Sequence, residues 1–211
     1  MTELLQLHPH NPQQRLLARA VQALRAGAVI VYPTDSCYAF GCPIGSKDAL
    51  ERIRRLRQAD RHHHFTLVCC DLAQAGRFAR LDTWQFRLLR QITPGPYTFL
   101  LPATRETPRR LQHAKRRTIG IRIPDHPVPQ MLLQMLGEPL MSSTLLLPGA
   151  SEPLTDGMTI FSCLRGQVDL VLDGGYCGTE PTTVLDLAVR PLRLVRQGKG
   201  PLPAGLVGTA P

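Results

Sequence analysis

The chain has 211 residues, 43% of them apolar and only 19% charged, which is enough apolar side chain for one sizeable core. Its 17 Gly and 19 Pro are spread along it without a low-complexity run, which excludes collagen-like, coiled-coil and wholly disordered chains. The formal charge is +9, from 25 Lys and Arg against 16 Asp and Glu.

Residues 1–15 lack the basic-then-apolar order of a secretory leader. Asn11-Pro12 opens the first predicted helix: Asn11 suits the N-cap, Pro12 the first helical position, and Gly27 the end. Between them Leu16, Leu17, Ala20, Val21 and Leu24 recur on one face. Residues 28–32 form a short apolar run that stops at Pro33, as in a strand covered on both faces. Ser46 can cap a second helix through Ala49, Leu50, Ile53 and Leu56, whose other face carries arginines. Residues 65–70 read as another buried strand, and Asp82 starts a helix that Pro94-Gly95-Pro96 stops after Ile92.

Further strands are expected at 97–101, 118–123, 140–144, 168–172, 182–187 and 192–196, with a helix at 128–136 ending at Gly137. Strands outnumber helices without a strict βαβ alternation. The expected fold is therefore α/β, a single domain over 1–211 on a twisted mixed sheet with flanking helices. Its core covers about residues 10–200, and 151–156 form a surface loop. Residues 197–211, with Gly and Pro throughout, are expected to be loosely held, 201–211 as a tail. No run approaches the ~18 apolar residues of a membrane-crossing helix, so a soluble, cytoplasmic protein with no membrane partner is expected.

The positive charge is concentrated. Residues 51–61 carry a net +3 and residues 105–117 a net +5. Only Lys47, Lys115 and Lys199 are lysines, which leaves 22 arginines, the side chain whose planar fork binds phosphate bidentately. A GC-rich genome produces the same bias, and a charge run is also what a solvated face looks like. Two such segments in an otherwise balanced chain point to a polyanionic partner.

The cysteines, Cys37, Cys42, Cys69, Cys70, Cys163 and Cys177, form no C-x-x-C pair, so reduced thiols and no zinc site are expected. His62-His63-His64 stands in a polar turn and suits adventitious nickel better than a built metal site. The dinucleotide, P-loop, zincin and nucleophile-elbow signatures are all absent. What remains is a set of polar residues at strand ends: Thr34-Asp35-Ser36, Arg122, Ser142-Ser143-Thr144 and Thr182-Thr183. Singly each is a turn former or a cap. Together they suit an anionic, hydrogen-bonding ligand beyond the strand ends of an open sheet.

Five blocks occur in an order that resembles the YrdC/YciO-like threonylcarbamoyl-adenylate synthase family. They are Pro33-Thr34-Asp35-Ser36-Cys37-Tyr38-Ala39-Phe40-Gly41, Pro94-Gly95-Pro96-Tyr97-Thr98, Gly120-Ile121-Arg122-Ile123-Pro124, Pro181-Thr182-Thr183-Val184-Leu185-Asp186 and Arg196-Gln197-Gly198. The resemblance implies a YrdC/RibB-like twisted open sheet with a basic concave face. It also implies an enzyme that joins L-threonine, bicarbonate and ATP into threonylcarbamoyl-adenylate for tRNA N6-threonylcarbamoyladenosine. ATP and Mg would then be substrate and counter-ion, with no tightly bound cofactor.

Carried over residue by residue, Thr34, Arg122 and Thr182 would bind threonine, while Arg55, Arg57, Thr144 and Arg196 would face the nucleotide and its phosphates. No catalytic residue and no metal ligand is assigned. The family's K-x-R falls on Arg55-Leu56-Arg57, where Lys has become Arg. Its R-P-x-x-N-P-L has lost both prolines, with His64 near the place of the Asn, and its next His falls near Cys70. Its S-A-N-x-S-G reads Thr144-Leu145-Leu146-Leu147-Pro148-Gly149, so Leu146 replaces an amide that would bond phosphate. Double-stranded RNA or tRNA would lie on Arg52, Arg54, Arg109, Arg110, Lys115, Arg116 and Arg117. Three readings follow: nucleotide and RNA binding with weak or divergent adenylate chemistry, a working synthase, or a basic scaffold with a solvated surface.

Overall fold

The structure, a computed structural model, describes residues 1–58 and 65–202. The His62-His63-His64 turn, the block around His64 and the tail beyond residue 202 lie outside the described residues. In chain order the elements are β1 (Glu3–Gln6), α1 (Gln14–Arg25), β2 (Ile30–Tyr32), β3 (Ala39–Pro43), α2 (Lys47–Arg57), β4 (Thr66–Val68), α3 (Leu72–Phe78) and α4 (Thr83–Ile92). There follow β5 (Tyr97–Pro102), a 3-10 turn (Arg109–Leu111), β6 (Thr118–Arg122), α5 (Pro127–Leu136), β7 (Leu140–Thr144), α6 (Gly157–Leu164), β8 (Leu170–Asp173), β9 (Thr183–Asp186) and β10 (Arg193–Arg196). The strands make one mixed sheet in the order β1-β8-β2-β3-β7-β4-β6-β5-β9-β10.

The expected caps are found on α2, where the Ser46 hydroxyl accepts from Ala49 N, and on α4, where Asp82 and Gln85 close a reciprocal capping box. Gly137 ends α5 in the left-handed region at φ 77°. Asn11 does not cap α1. The helix starts three residues later with Gln13 as its N-cap, because His8 Nδ1 accepts from the N–H groups of His10 and Asn11 and holds that stretch as a turn.

Four elements are absent from the sequence reading: β1, β3, α3 and α6. β3, whose residues are AFGCP, has a Gly and a Pro against strand propensity; it exists because β2 and β7 flank it. α6 follows directly on the expected surface loop at 151–156, started by Asp156, which accepts from Thr159 N.

Alternation along the strands sorts side chains to two faces. On one, Phe40, Leu67, Phe99, Ile121 and Met141 join Leu50 and Ile53 of α2 and Leu89 of α4 in the larger core. On the other, Ile30, Tyr32, Val68, Leu140 and Leu172 are covered by Leu17, Ala20 and Leu24 of α1 and by Leu132 and Leu133 of α5. That second face continues over β6, β5 and β9 through Thr118, Gly120, Arg122, Thr98 and Asp186, and there it turns polar. Gly41 is required beneath the Tyr32 ring, since a Cβ would lie 2.8 Å from it. The Tyr32 hydroxyl thereby crosses β3 and donates to Ser142 on β7 at 2.7 Å, which itself donates to Phe40 O. Among the described residues no helix is long and apolar enough to cross a membrane.

Candidate functional site

After β2 the chain turns across the strand ends. Thr34 Oγ1 donates to Cys37 O at 2.6 Å and accepts from Ser36 N at 3.2 Å, a hydroxyl-closed turn that folds residues 34–37 back over the sheet. The turn aims three side chains at Arg122, the last residue of β6. Arg122 Nη2 donates to Thr34 Oγ1 at 3.0 Å, to Ser36 Oγ at 2.9 Å and to the Asp35 carboxylate. The other Asp35 oxygen accepts from Asp125 N at 3.1 Å. Both side chains of this ion pair are only 9% exposed, and Arg122 Nε is buried with no acceptor among the described residues.

The opposite wall is built from the start of β9. Thr182 Oγ1 lies 2.9 Å from Thr98 Oγ1, and Arg196 at the end of β10 donates through Nε and Nη2 to Thr182 O at 3.1 and 2.9 Å. Arg196, expected at the nucleotide, is thus tied directly to Thr182, expected at threonine.

Residues 197–202 are not loose. Thr183 Oγ1 accepts from Gly198 N at 3.0 Å and donates to Gly200 O at 2.6 Å, Lys199 N donates to Pro181 O, and Tyr97 Oη donates to Pro201 O. A Cβ at Gly198 would stand 2.2 Å from Pro181 O, so only glycine allows this strap to lie so close to β9. The strap carries Lys199 to the Asp35 turn, where its ammonium donates to Asp35 O. Two buried thiols close the same wall: Cys37 donates to Glu180 O and Cys177 to Thr34 O, and burial pushes Cys177 up to about 11. Lys199, Cys37 and Cys177 carried no signal in sequence, because each acts through a backbone carbonyl more than a hundred residues away.

The expected phosphate residues are spread out. Arg57 bonds Ser143 Oγ on β7, and burial holds its guanidinium below the ordinary arginine value. Arg55 is exposed and lines a different cleft, of about 620 Å³, with Arg52, Leu147, Pro148, Cys163 and Gln167. Residues two apart on a helix face different ways, and here the helix runs through Arg57. Thr144 ends β7, and beyond it Leu146 N donates back to Thr144 O, leaving a half-buried leucine side chain at that turn.

Of the arginines expected on RNA, several are held by the protein itself. Arg52 donates to Gln167 O and Asp169, Arg54 pairs with Glu51 and sits 5.5 Å over the Phe65 ring, and Arg110 donates to Ile44 O and Gly45 O. Arg116 holds both oxygens of the fully buried Asp186 carboxylate. Arg109, Lys115 and Arg117 are exposed, with no side-chain hydrogen bond among the described residues. No group of three or more His, Cys, Asp or Glu among the described residues could hold a metal ion.

Fold and site together define an α/β protein of the twisted mixed-sheet class, with a buried arginine and several hydroxyls at its strand ends. The chain belongs to the Sua5/YciO/YrdC family, whose model, described as "Telomere recombination", matches residues 22–198. It is 50% identical over 200 residues to the uncharacterized protein YciO of Escherichia coli K12, covering 95% of this chain and 97% of that one. The crystal structure of E. coli YciO superposes with a TM-score of 0.91 at 49% identity, over 95% of this chain and 98% of that one. It is also 30% identical over 186 residues to a threonylcarbamoyl-AMP synthase of Vibrio vulnificus, over 86% of this chain and 98% of the relative.

Proposed function

We propose that this chain is a YciO-type member of the family that binds L-threonine at the Arg122 pocket and nucleotide beside it, with weak or divergent threonylcarbamoyl-adenylate chemistry. It also binds double-stranded RNA or tRNA. The observation that carries the reading is Leu146. The turn after β7 offers an apolar side chain where the family pattern has an amide, while on the threonine side Arg122 bonds Thr34 and Thr182 meets Thr98 and Arg196.

In the full reaction a threonine ammonium and bicarbonate give a carbamate, water and a proton. A carbamate oxygen then attacks the α-phosphorus of ATP and pyrophosphate leaves. Such a transfer depends on positioning and on cations against the phosphates, with magnesium as the counter-ion of ATP. Arg57, anchored at Ser143, can supply one such cation; Leu146 supplies no donor. The reading places the protein in the cytoplasm, with ATP and tRNA.

A second reading, a working synthase, is favoured by the presence of Thr34, Arg122 and Thr182, the first two bonded to each other. Threonine- and bicarbonate-dependent pyrophosphate release from ATP separates the two: a rate matching an authentic synthase rejects the weak-chemistry reading. Within the same assay Leu146→Asn is expected to raise adenylate formation about ten- to a hundred-fold, the worth of a charge-assisted hydrogen bond. No gain over the parent would mean that the phosphates lie elsewhere.

For RNA, the free cations set the expectation. Charge reversal at Arg109, Lys115 and Arg117 together should weaken tRNA binding and lower its salt dependence by about three counter-ions. Reversal at Arg116 should instead act on folding, since that guanidinium is committed to Asp186. Filter binding across a salt series measures both slopes; a triple variant with the parent slope would remove this surface from the proposal.

A further inference from the structure

We propose that Lys199 is a specificity-determining residue of the strand-end pocket, selecting a doubly anionic, N-carboxylated amino acid over its zwitterionic parent. The inference rests on the reading of that pocket as an amino-acid site. It follows from counting charges where the walls meet. Arg122 and Lys199 both bond the turn of residues 34–36, Arg196 bonds Thr182, two residues after the Glu180 carbonyl that holds the Cys37 thiol, and the charges of all three oppose the upward push that burial gives that thiol. Arg122 is neutralised by Asp35. Among the described residues Arg196 donates to the carbonyl and hydroxyl of Thr182 and Lys199 to the carbonyl of Asp35, so neither of these exposed cations meets an anion in its own bonds there. Glu180, the acidic neighbour in this wall, gives Cys37 its backbone carbonyl and keeps an exposed side chain. Asp125 likewise contributes its backbone N–H to Asp35 and is exposed.

Two uncompensated cations match a ligand of charge −2. An amino-acid zwitterion carries none; converting its ammonium to a carbamate leaves two carboxylate groups and the charge required. Lys199 suits the task because its ammonium has three donors, of which the Asp35 carbonyl uses one. Its backbone is also fixed: the strap is pinned on both sides of it, through Gly198 N to Thr183, Lys199 N to Pro181 O and Thr183 to Gly200 O. The cation is therefore presented over the turn rather than carried on a free tail.

The test is the factor by which bicarbonate tightens L-threonine binding, by calorimetry at constant ionic strength, with ¹³C-bicarbonate NMR to detect the bound carbamate. The parent should gain about tenfold and show the carbamate signal. Lys199→Met should lose most of that gain and the signal, and Lys199→Arg should keep them. A purely structural staple would lower the melting temperature in Lys199→Met without moving the bicarbonate factor, and that result overturns the proposal. So does threonine binding in the parent that bicarbonate does not tighten. Absence of any threonine binding in the parent would instead defeat the amino-acid reading of the pocket, and the proposal with it.

Discussion

Arg122→Met will bind L-threonine too weakly to measure by calorimetry and will be destabilised by about 3–5 kcal/mol, the cost of breaking a buried ion pair. Arg122 serves three acceptors at once, and its removal strands the Asp35 carboxylate at 9% exposure with the Asp125 N–H as its remaining partner. The Thr34 and Ser36 hydroxyls lose the same donor, so the turn itself loosens. Arg122→Lys should recover part of the stability, since a charge again faces Asp35, but not the binding, because an ammonium cannot reproduce the planar fork. Urea denaturation and threonine calorimetry on the two variants check this. A Met variant with parental threonine affinity would place the amino acid somewhere other than at Arg122.

The second large effect is expected at the far end of the same face. Asp186 is completely buried, and its carboxylate accepts from Arg116 at 2.9 and 2.6 Å, from Arg193 at 3.3 Å and from Ala188 N at 3.1 Å. Asp186→Ala should cost about 2–4 kcal/mol, somewhat below a fully buried pair because the Arg116 side chain is one-third exposed and can turn to water. The loss should not stop at stability. All four residues of β10 are exposed, and Asp186 is where Arg193 anchors that strand to β9. Freed of this anchor, β10 would also carry Arg196 away from Thr182. Hydrogen exchange at Leu194 and Val195 reads the loosening directly. Asp186→Asn, which retains an acceptor for Ala188 N, should lie between the two; a denaturation midpoint unchanged in Asp186→Ala would show the clamp to be idle.

What could be read from the sequence has a common physical character. Ser46, Asp82 with Gln85, Gly137 and the apolar spacing of α1, α4 and α5 act within one helical turn or one strand, so they survive in any tertiary context. The mixed α/β sheet and the position of Thr34, Arg122 and Thr182 at strand ends were legible on that basis, and the family from the resemblance of five sequence blocks. The same local logic failed where another group, near or distant, competed. His8 takes the N–H groups that Asn11 capping would have left free, and the strand between β2 and β7 forms in spite of its Gly and Pro.

By itself, then, the sequence determined the class of fold, the order of its principal elements and which side chains stand at the strand ends. The tertiary structure alone decided which cations are free. Register brings Asp186 under Arg116, the chain path brings Gln167 and Asp169 to Arg52, and the strap brings Lys199 to Asp35. Two arginines of one segment are indistinguishable in sequence, yet Arg57 is committed to Ser143 while Arg55 faces an open cleft. Charge is a property of the residue, whereas the counter-charge is supplied by whatever the fold places within hydrogen-bond reach. For Arg116 that pairing with Asp186 spans 70 residues, and the carbonyl of Asp35 that holds Lys199 without neutralising it lies 164 residues away, distances at which local propensity carries no information.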